Sequence, residues 1–151
     1  MRLVLEPIGE VRCPVSRAPG IPWGEVVSTL YLKPGVVEGL KGIDQFSHLL
    51  VLFFMHQASY VAGRDLVRRP GGREDMPSLG IFAQRASSRP NTLGVSVVRL
   101  LSKEGAILCV QGLDAIDGSP LLDVKPYFKA FDRAIAPLEP EWVNRLMDGY
   151  F

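Results

Sequence analysis

One uninterrupted apolar run, residues 49–55, most constrains how this chain can fold. It lies within the segment SHLLVLFFMHQ (residues 47–57), between His48 and His56. The run is much shorter than the ~20 apolar residues of a membrane-spanning helix, and its length favours a strand. Because the side chains on both of its faces are apolar, we expect this strand to be buried on both faces.

The other predicted strands are short segments separated by glycine and proline. Apolar, β-branched and aromatic residues predict them over residues 3–12, 25–32, 95–101, 106–111 and 121–124. Three prolines and Gly20 make residues 13–23 a loop. Helix is predicted only as a turn within residues 36–46 and as a short closing helix within residues 139–147.

These elements predict a mainly β protein. Few strands alternate with helices, and a closed barrel removes the exposed strand edges that invite unwanted pairing. A chain of 151 residues is most simply one domain. We therefore expect a single-domain β-barrel over residues 1–151 with one or two short helices, in which residues 128–151 form a C-terminal tail that carries the last helix.

The common catalytic motifs do not identify an enzyme class. The chain contains no G-x-G-x-x-G, no Walker A sequence, no H-E-x-x-H and no G-x-S-x-G. His48 and His56 would lie about 26 Å apart along one strand, so they cannot share a metal ion. Cys13 and Cys109 form no C-x-x-C and the N-terminus has no signal-peptide pattern. We therefore expect reduced thiols, a cytoplasmic location, no membrane association and no metal site.

Basic charge is concentrated in the middle of the chain. Residues 64–99 contain seven arginines and three acidic residues, whereas the remainder carries ten basic and thirteen acidic residues. A concentration of arginine suits an anionic partner such as RNA. The same charge is also compatible with a surface that binds no partner.

Two arginines lie on the polar loop that follows Ile81 and Phe82, an apolar segment predicted to be strand-like. Pro90 fixes its own φ and disfavours helix at Arg89, which restrains the shape of the loop. Arg85 and Arg89 suit recognition of a carboxylate or phosphate, because each guanidinium offers a planar fork of donors. The alternative is that both arginines belong to a solvated loop surface.

Four sequence blocks, in this order, resemble one known family. They are PIGEVRCP (7–14), GIDQFSHLLVLFFMHQ (42–57), GIFAQRASSRPNTLGVSVV (80–98) and GLDAIDGSPLLDVKPY (112–127). Together they resemble the small β-barrel S-adenosylmethionine-dependent tRNA methyltransferases, which act on N6-threonylcarbamoyladenosine, the modified purine 3′ of the anticodon. The resemblance implies a β-barrel, a homodimer, and S-adenosylmethionine bound without the dinucleotide-binding glycine motif.

The resemblance also implies a cofactor site and a substrate site. Residues matched to the cofactor site are Pro19, Gly20, Ile21, His56, Gln57, Arg85, Val95, Gln111, Gly112, Leu113 and Asp114. Arg85 suits the carboxylate of the cofactor, and Asp114 suits an amine or a ribose hydroxyl. The candidates on the RNA side are Arg89, Asn91 and Lys125.

The implied reaction is attack of the adenine N6 nitrogen on the sulfonium methyl group of the cofactor. It depends mainly on positioning, and a base helps because a nitrogen next to a carbonyl is a weak nucleophile. Asp114, Asp117, His56 and Tyr127 are possible bases, and the sequence does not choose among them.

Two departures from the family pattern leave the substrate open. The loop reads QRASSRPNTLG where the family more often has T-R-S-P-x-R-P-N-P-I-G, and the C-terminal extension of larger members is missing. The alternatives are a related methyltransferase with a small-molecule substrate and a non-catalytic β-barrel that binds RNA or a nucleotide.

Overall fold

The computed structural model describes residues 1–18 and 20–151. Its strands, in chain order, are β1 (Gly9–Arg12), β2 (Val27–Leu32), β3 (His48–Phe54), β4 (Val67–Arg68), β5 (Leu79–Gly80), β6 (Leu93–Glu104), β7 (Ile107–Gln111) and β8 (Pro120–Pro126). Six of them form a closed antiparallel barrel in the order β1-β2-β7-β6-β3-β8, and β8 pairs with β1 to close it. The prediction of a mainly β barrel is confirmed.

The helices are short. They are α1 (Lys129–Asp132) and α2 (Trp142–Met147), together with the 3₁₀ helices Trp23–Glu25, Pro34–Leu40, Ile43–Gln45, Pro70–Gly72 and Ile81–Ala83. Helix α2 lies within the range predicted for the closing helix, and two of the 3₁₀ helices lie in or beside the predicted helical turn.

Strand β3 lines the core with one face only. Leu49, Val51 and Phe53 are at most 3% exposed, whereas the alternating residues of the other face are only partly buried and Phe54 is 41% exposed. The prediction of burial on both faces is therefore wrong. In a closed barrel one face of each strand lines the interior, and the other face turns outward.

The long connector between β3 and β6 has its own small sheet, because β4 pairs with β5. The prediction of a strand-like segment at Ile81 and Phe82 is wrong, since the chain forms a 3₁₀ helix there. Ile81 is buried and donates its N–H to the carbonyl of Leu66 at 2.8 Å. The buried Gln84 amide donates to the carbonyls of Arg68 (2.7 Å) and Leu79 (2.8 Å), which holds the connector together.

Three connections meet at one end of the barrel. Because neighbouring strands run antiparallel, β1, β3 and β7 end there, whereas β2, β6 and β8 begin there. The connecting segments are residues 13–26, 55–92 and 112–119. We call this end, defined by these three segments, the upper rim.

Candidate functional site

The carboxylate of Asp114 is the centre of a polar cluster at the upper rim. Asp114 lies between two fully buried neighbours, Leu113 and Ala115, which anchor the β7–β8 loop in the core. Its Oδ1 accepts a short hydrogen bond from the hydroxyl of Ser96, which points into the barrel from β6. Its Oδ2 accepts a hydrogen bond from the Tyr150 hydroxyl at 2.6 Å. The carboxylate is therefore held by donors from two distant parts of the chain.

The Tyr150 hydroxyl is a donor with little tendency to ionise. Burial raises the pKa of Tyr150, and the charge of Asp114 and the hydrogen bond to it raise this pKa further. The Arg85 guanidinium is close enough to lower the pKa of Tyr150 in part. Arg85, Tyr150 and Asp114 therefore form one electrostatic group.

Arg85 lies beside this cluster on the loop that precedes β6. Its side chain is exposed, and Nη2 donates to the carbonyl of Val95 at 2.9 Å. A guanidinium carries five N–H donors, so this contact leaves donors for a ligand. The structure thus brings together Arg85, Val95 and Asp114, which the sequence assigned to one site.

The predicted residues at the end of β7 contact the β1–β2 loop. Gln111 donates its side-chain amide to the carbonyl of Gly24 at 3.1 Å, and Gly112 donates its N–H to the carbonyl of Val26 at 3.0 Å. Gly20 and Ile21 lie earlier in the same loop, and Gly20 has a φ of 88° that favours glycine. Pro19 lies outside the described residues.

His56 belongs to a second group at the same rim. It follows β3 and is exposed, as is Gln57. Its Nδ1 lies 3.4 Å from the hydroxyl of the buried Ser119. A Cβ placed on Gly118 would lie 3.9 Å from Nε2 of His56 and 3.7 Å from Oε1 of Glu10. The imidazole therefore faces the end of the β7–β8 loop.

Two of the four candidate bases, Asp117 and Tyr127, contact residues outside the Asp114 cluster. Asp117 accepts the backbone N–H of Cys13 at 3.1 Å and forms an ion pair with Arg12 at 3.5 Å, which joins β1 to the β7–β8 loop. Tyr127 follows β8 at the opposite end of the barrel, where its ring packs edge-on against His48. Asp114 and His56 are the candidate bases that remain at the upper rim without an ion-pair partner in the described part of the chain.

Burial raises the pKa of the Cys13 thiol. The Cys13 sulfur also lies 3.3 Å from the carbonyl of Ala115 and 3.4 Å from that of Val15, where it can donate a hydrogen bond. A thiol that is kept protonated and donates to carbonyls packs the loop and is a poor nucleophile.

The structure separates the three substrate candidates. Arg89 and Asn91 lie on the connector at the upper rim, and Arg89 donates to the carbonyls of Gln84 (3.1 Å) and Ala86 (3.4 Å). Lys125 lies near the opposite end of the barrel, where it forms an ion pair with Asp123 at 2.6 Å. Within one chain, Lys125 is therefore not part of the cluster around Asp114.

Much of the basic charge of the connector is paired. Asp65 is 2% exposed and lies 2.8 Å from Arg64 and 3.6 Å from Arg68. Hydrogen bonds from Arg64 and from the Val61 N–H lower the pKa of Asp65 to about 2. Arg73 forms a similar pair with Asp75 at 2.7 Å. These ion pairs join residues of the connector to one another and stabilise its fold.

Two residues of the cluster were missed from the sequence. Ser96 shares the inward face of β6 with Val98, so the alternation of that strand could have identified it as a polar group in the core. Tyr150 comes from a segment that is remote from the four sequence blocks, and the sequence contains no local signal for it.

Among the described residues, no helix combines the length and the apolar character needed to cross a membrane. No cluster of three or more His, Cys, Asp or Glu side chains in the same residues could hold a metal ion.

These features define a class of protein: a closed six-stranded β-barrel with a polar cluster built by the loops of one rim. Residues 14–133, well over half of the chain, match the tRNA-methyltransferase O N-terminal domain. The chain belongs to this family.

Known relatives extend this assignment. The chain is 36% identical to a probable S-adenosyl-L-methionine-binding protein of Pyrococcus abyssi, over 87% of this chain and 72% of that protein. It is also 36% identical to the tRNA (adenine(37)-N6)-methyltransferase of Escherichia coli, over 81% of this chain and 56% of the enzyme. The crystal structure of TrmO from P. aeruginosa has a TM-score of 0.76 and 32% identity, over 94% of this chain. The chain spans 62% of that crystallised protein.

Proposed function

We propose that this protein is an S-adenosylmethionine-dependent methyltransferase that methylates N6 of threonylcarbamoyladenosine next to the anticodon of tRNA. One observation carries the proposal. Every predicted cofactor residue in the described part of the chain lies in an upper-rim loop or on a strand end that reaches it. Membership of the family and the activity named for the Escherichia coli relative support the same function.

The chemistry of the rim fits the cofactor. Arg85 has free donors for a carboxylate, and Asp114 has acceptor capacity for an amine or a ribose hydroxyl, since each carboxylate oxygen has two lone pairs. When bound, S-adenosylmethionine supplies an electrophilic methyl group. The residues of the rim contribute orientation, which is the main requirement of such a transfer.

The substrate side of the proposal rests on the loop that carries Arg89 and Asn91. The threonylcarbamoyl group has a carboxylate that needs a cationic partner, and Arg89 is the candidate at the upper rim. Single-stranded RNA is read through bases that are turned out of their stack, so the modified adenine has to leave the anticodon loop to reach the site. Phosphate contacts should make the transfer weaken with added salt.

Methyl transfer from labelled S-adenosylmethionine to two tRNA preparations tests the proposal. One preparation carries threonylcarbamoyladenosine and the other lacks it. We expect label only in the first. Equal labelling of both would refute the assigned substrate and leave a tRNA methyltransferase. Binding of the cofactor without labelling of either preparation would favour the small-molecule substrate. Absence of cofactor binding would favour the non-catalytic binding domain.

The proposal includes a homodimer and a cytoplasmic location. Residues 93–98 of β6 pair with β3 on one side, whereas β7 pairs only with residues 99–104, so one edge of β6 has no strand partner in the described residues. Val95 and Val97 on this segment are 44% and 49% exposed. Light scattering should give the mass of two chains, and Val97→Glu should lower it whereas Val4→Glu should not. A monomeric wild-type protein would refute the dimer, and cell fractionation tests the location.

A further inference from the structure

The C-terminal segment reaches the candidate site although it lies outside residues 14–133, which match the family. Helix α2 rests on the connector, because Arg73 donates to the carbonyl of Arg145 at 3.2 Å and Arg145 donates to the carbonyl of Asp75 at 3.4 Å. After α2 the chain turns, and the N–H of Tyr150 donates to the carbonyl of Met147 at 3.0 Å. These contacts bring Tyr150 to the upper rim.

Tyr150 joins two of the upper-rim loops. Its hydroxyl donates to Oδ2 of Asp114 at 2.6 Å, on the β7–β8 loop. Its carbonyl accepts the N–H of Trp23 at 2.7 Å, on the β1–β2 loop, and Trp23 is 2% exposed. Gly24, which follows Trp23, packs closely against Phe151, since a Cβ placed on Gly24 would lie 2.6 Å from the carbonyl carbon of Phe151. The segment is thus fitted against the loop that carries Gly20 and Ile21.

We propose that Tyr150 is a positioning residue of the cofactor site. Its hydroxyl holds the Asp114 carboxylate on Oδ2 while Ser96 holds it on Oδ1, so that the remaining lone pairs of the carboxylate keep a fixed direction toward a ligand amine or hydroxyl. Its backbone carbonyl holds the β1–β2 loop in place. This inference rests on the proposed function and adds a residue from outside the family domain.

The protonation state of the Tyr150 side chain fits a positioning role. Burial raises the pKa of Tyr150, and the charge of Asp114 adds to the effect. The phenol therefore stays protonated at neutral pH and acts as a hydrogen-bond donor to Asp114. A proton acceptor at this position would need the opposite shift.

Calorimetry with S-adenosylmethionine tests the inference on the full chain. Tyr150→Phe removes the hydroxyl and keeps the ring, and we expect roughly tenfold weaker binding, the scale for losing a hydrogen bond to a charged group. Tyr31→Phe, on the outer face of β2 and 47% exposed, is the matched control and should bind like wild type. In methyl transfer, the KM for the cofactor should rise more than kcat falls.

Two further measurements separate positioning from a general effect on the fold. If Tyr150 acts through Asp114, Asp114→Asn combined with Tyr150→Phe should bind no more weakly than Asp114→Asn alone. In the protein without cofactor, ultraviolet titration should show a phenol whose pKa lies above the ordinary tyrosine value, and Tyr150→Phe should remove it.

The outcomes distinguish this inference from the proposed function. Wild-type affinity of Tyr150→Phe, or an additive loss in the double variant, would overturn the inference and leave the methyltransferase assignment intact. Absence of S-adenosylmethionine binding by the wild-type protein would overturn the proposed function and this inference with it.

Discussion

Removal of the Arg85 side chain should weaken S-adenosylmethionine binding by about 1.5 kcal/mol, roughly tenfold in Kd. A hydrogen bond to a charged group contributes roughly 1.5–3 kcal/mol. The lower end applies here for two reasons. The Arg85 side chain is exposed, so solvent screens its charge. One of its nitrogens is also engaged with the Val95 carbonyl at 2.9 Å.

The assay is a calorimetric titration of Arg85→Ala, Arg85→Lys and Arg99→Ala. Arg85→Lys should recover only part of the loss, because one ammonium does not replace a planar fork that spans Val95 and a ligand carboxylate. Arg99→Ala removes the same charge from an exposed position on β6 and is the control. Wild-type affinity of Arg85→Ala, or an equal loss in Arg99→Ala, would show that Arg85 belongs to a solvated surface.

Two other predictions concern stability. The pKa of Asp65 is lowered from 3.8 to about 2 by Arg64 and the Val61 N–H, so its stabilising effect is complete above pH 3.8 and is lost as the pH falls toward 2. Thermal unfolding of Asp65→Asn should therefore show a weaker loss of Tm over that range than wild type, and parallel curves would contradict this. Gly94→Ala should lower the free energy of unfolding by roughly 1–3 kcal/mol in urea, because a Cβ at Gly94 would overlap the buried ring of Phe53. Gly39→Ala, which has open space around it, is the control, and an equal effect of both would refute the packing argument.

The six barrel strands could be predicted from the sequence, although β1 begins only at Gly9 and the short β4 and β5 were not predicted. The exposure of the strand faces could not be predicted. The run at residues 49–55 is apolar on both faces, although only Leu49, Val51 and Phe53 line the core. Leu50 and Leu52 point outward and are half-buried, so composition alone suggests burial on both faces. Closure of the barrel determines which face of the strand lies inside. Closure in turn depends on strand pairing between segments that are distant in the sequence.

Some residues of the candidate site could likewise be predicted from the sequence, and others could not. Arg85 and Asp114 could be found because both lie in sequence blocks with a recognisable pattern. Lys125 lies in the same block as Asp114, but β8 (Pro120–Pro126) separates them. A strand of that length spans about 23 Å, so the two side chains belong to opposite ends of the barrel. Tyr150 meets Asp114 only through the path of the C-terminal segment, which no local pattern encodes.

The number of arginines in residues 64–99 does not by itself show which of them can contact an anionic partner. Arg64, Arg68 and Arg73 form ion pairs with acidic residues of the same connector, so their charge is partly neutralised before any RNA approaches. Arg85 and Arg89 make no ion pair in the described residues and donate instead to backbone carbonyls. Release of counterions by a bound RNA depends on basic side chains that can contact phosphates, and arginines that are not held in ion pairs are the better candidates. The anionic partner is therefore expected at the end of the connector that carries Arg85 and Arg89, next to Asp114, and less along residues 64–73 of the connector, where the paired arginines lie.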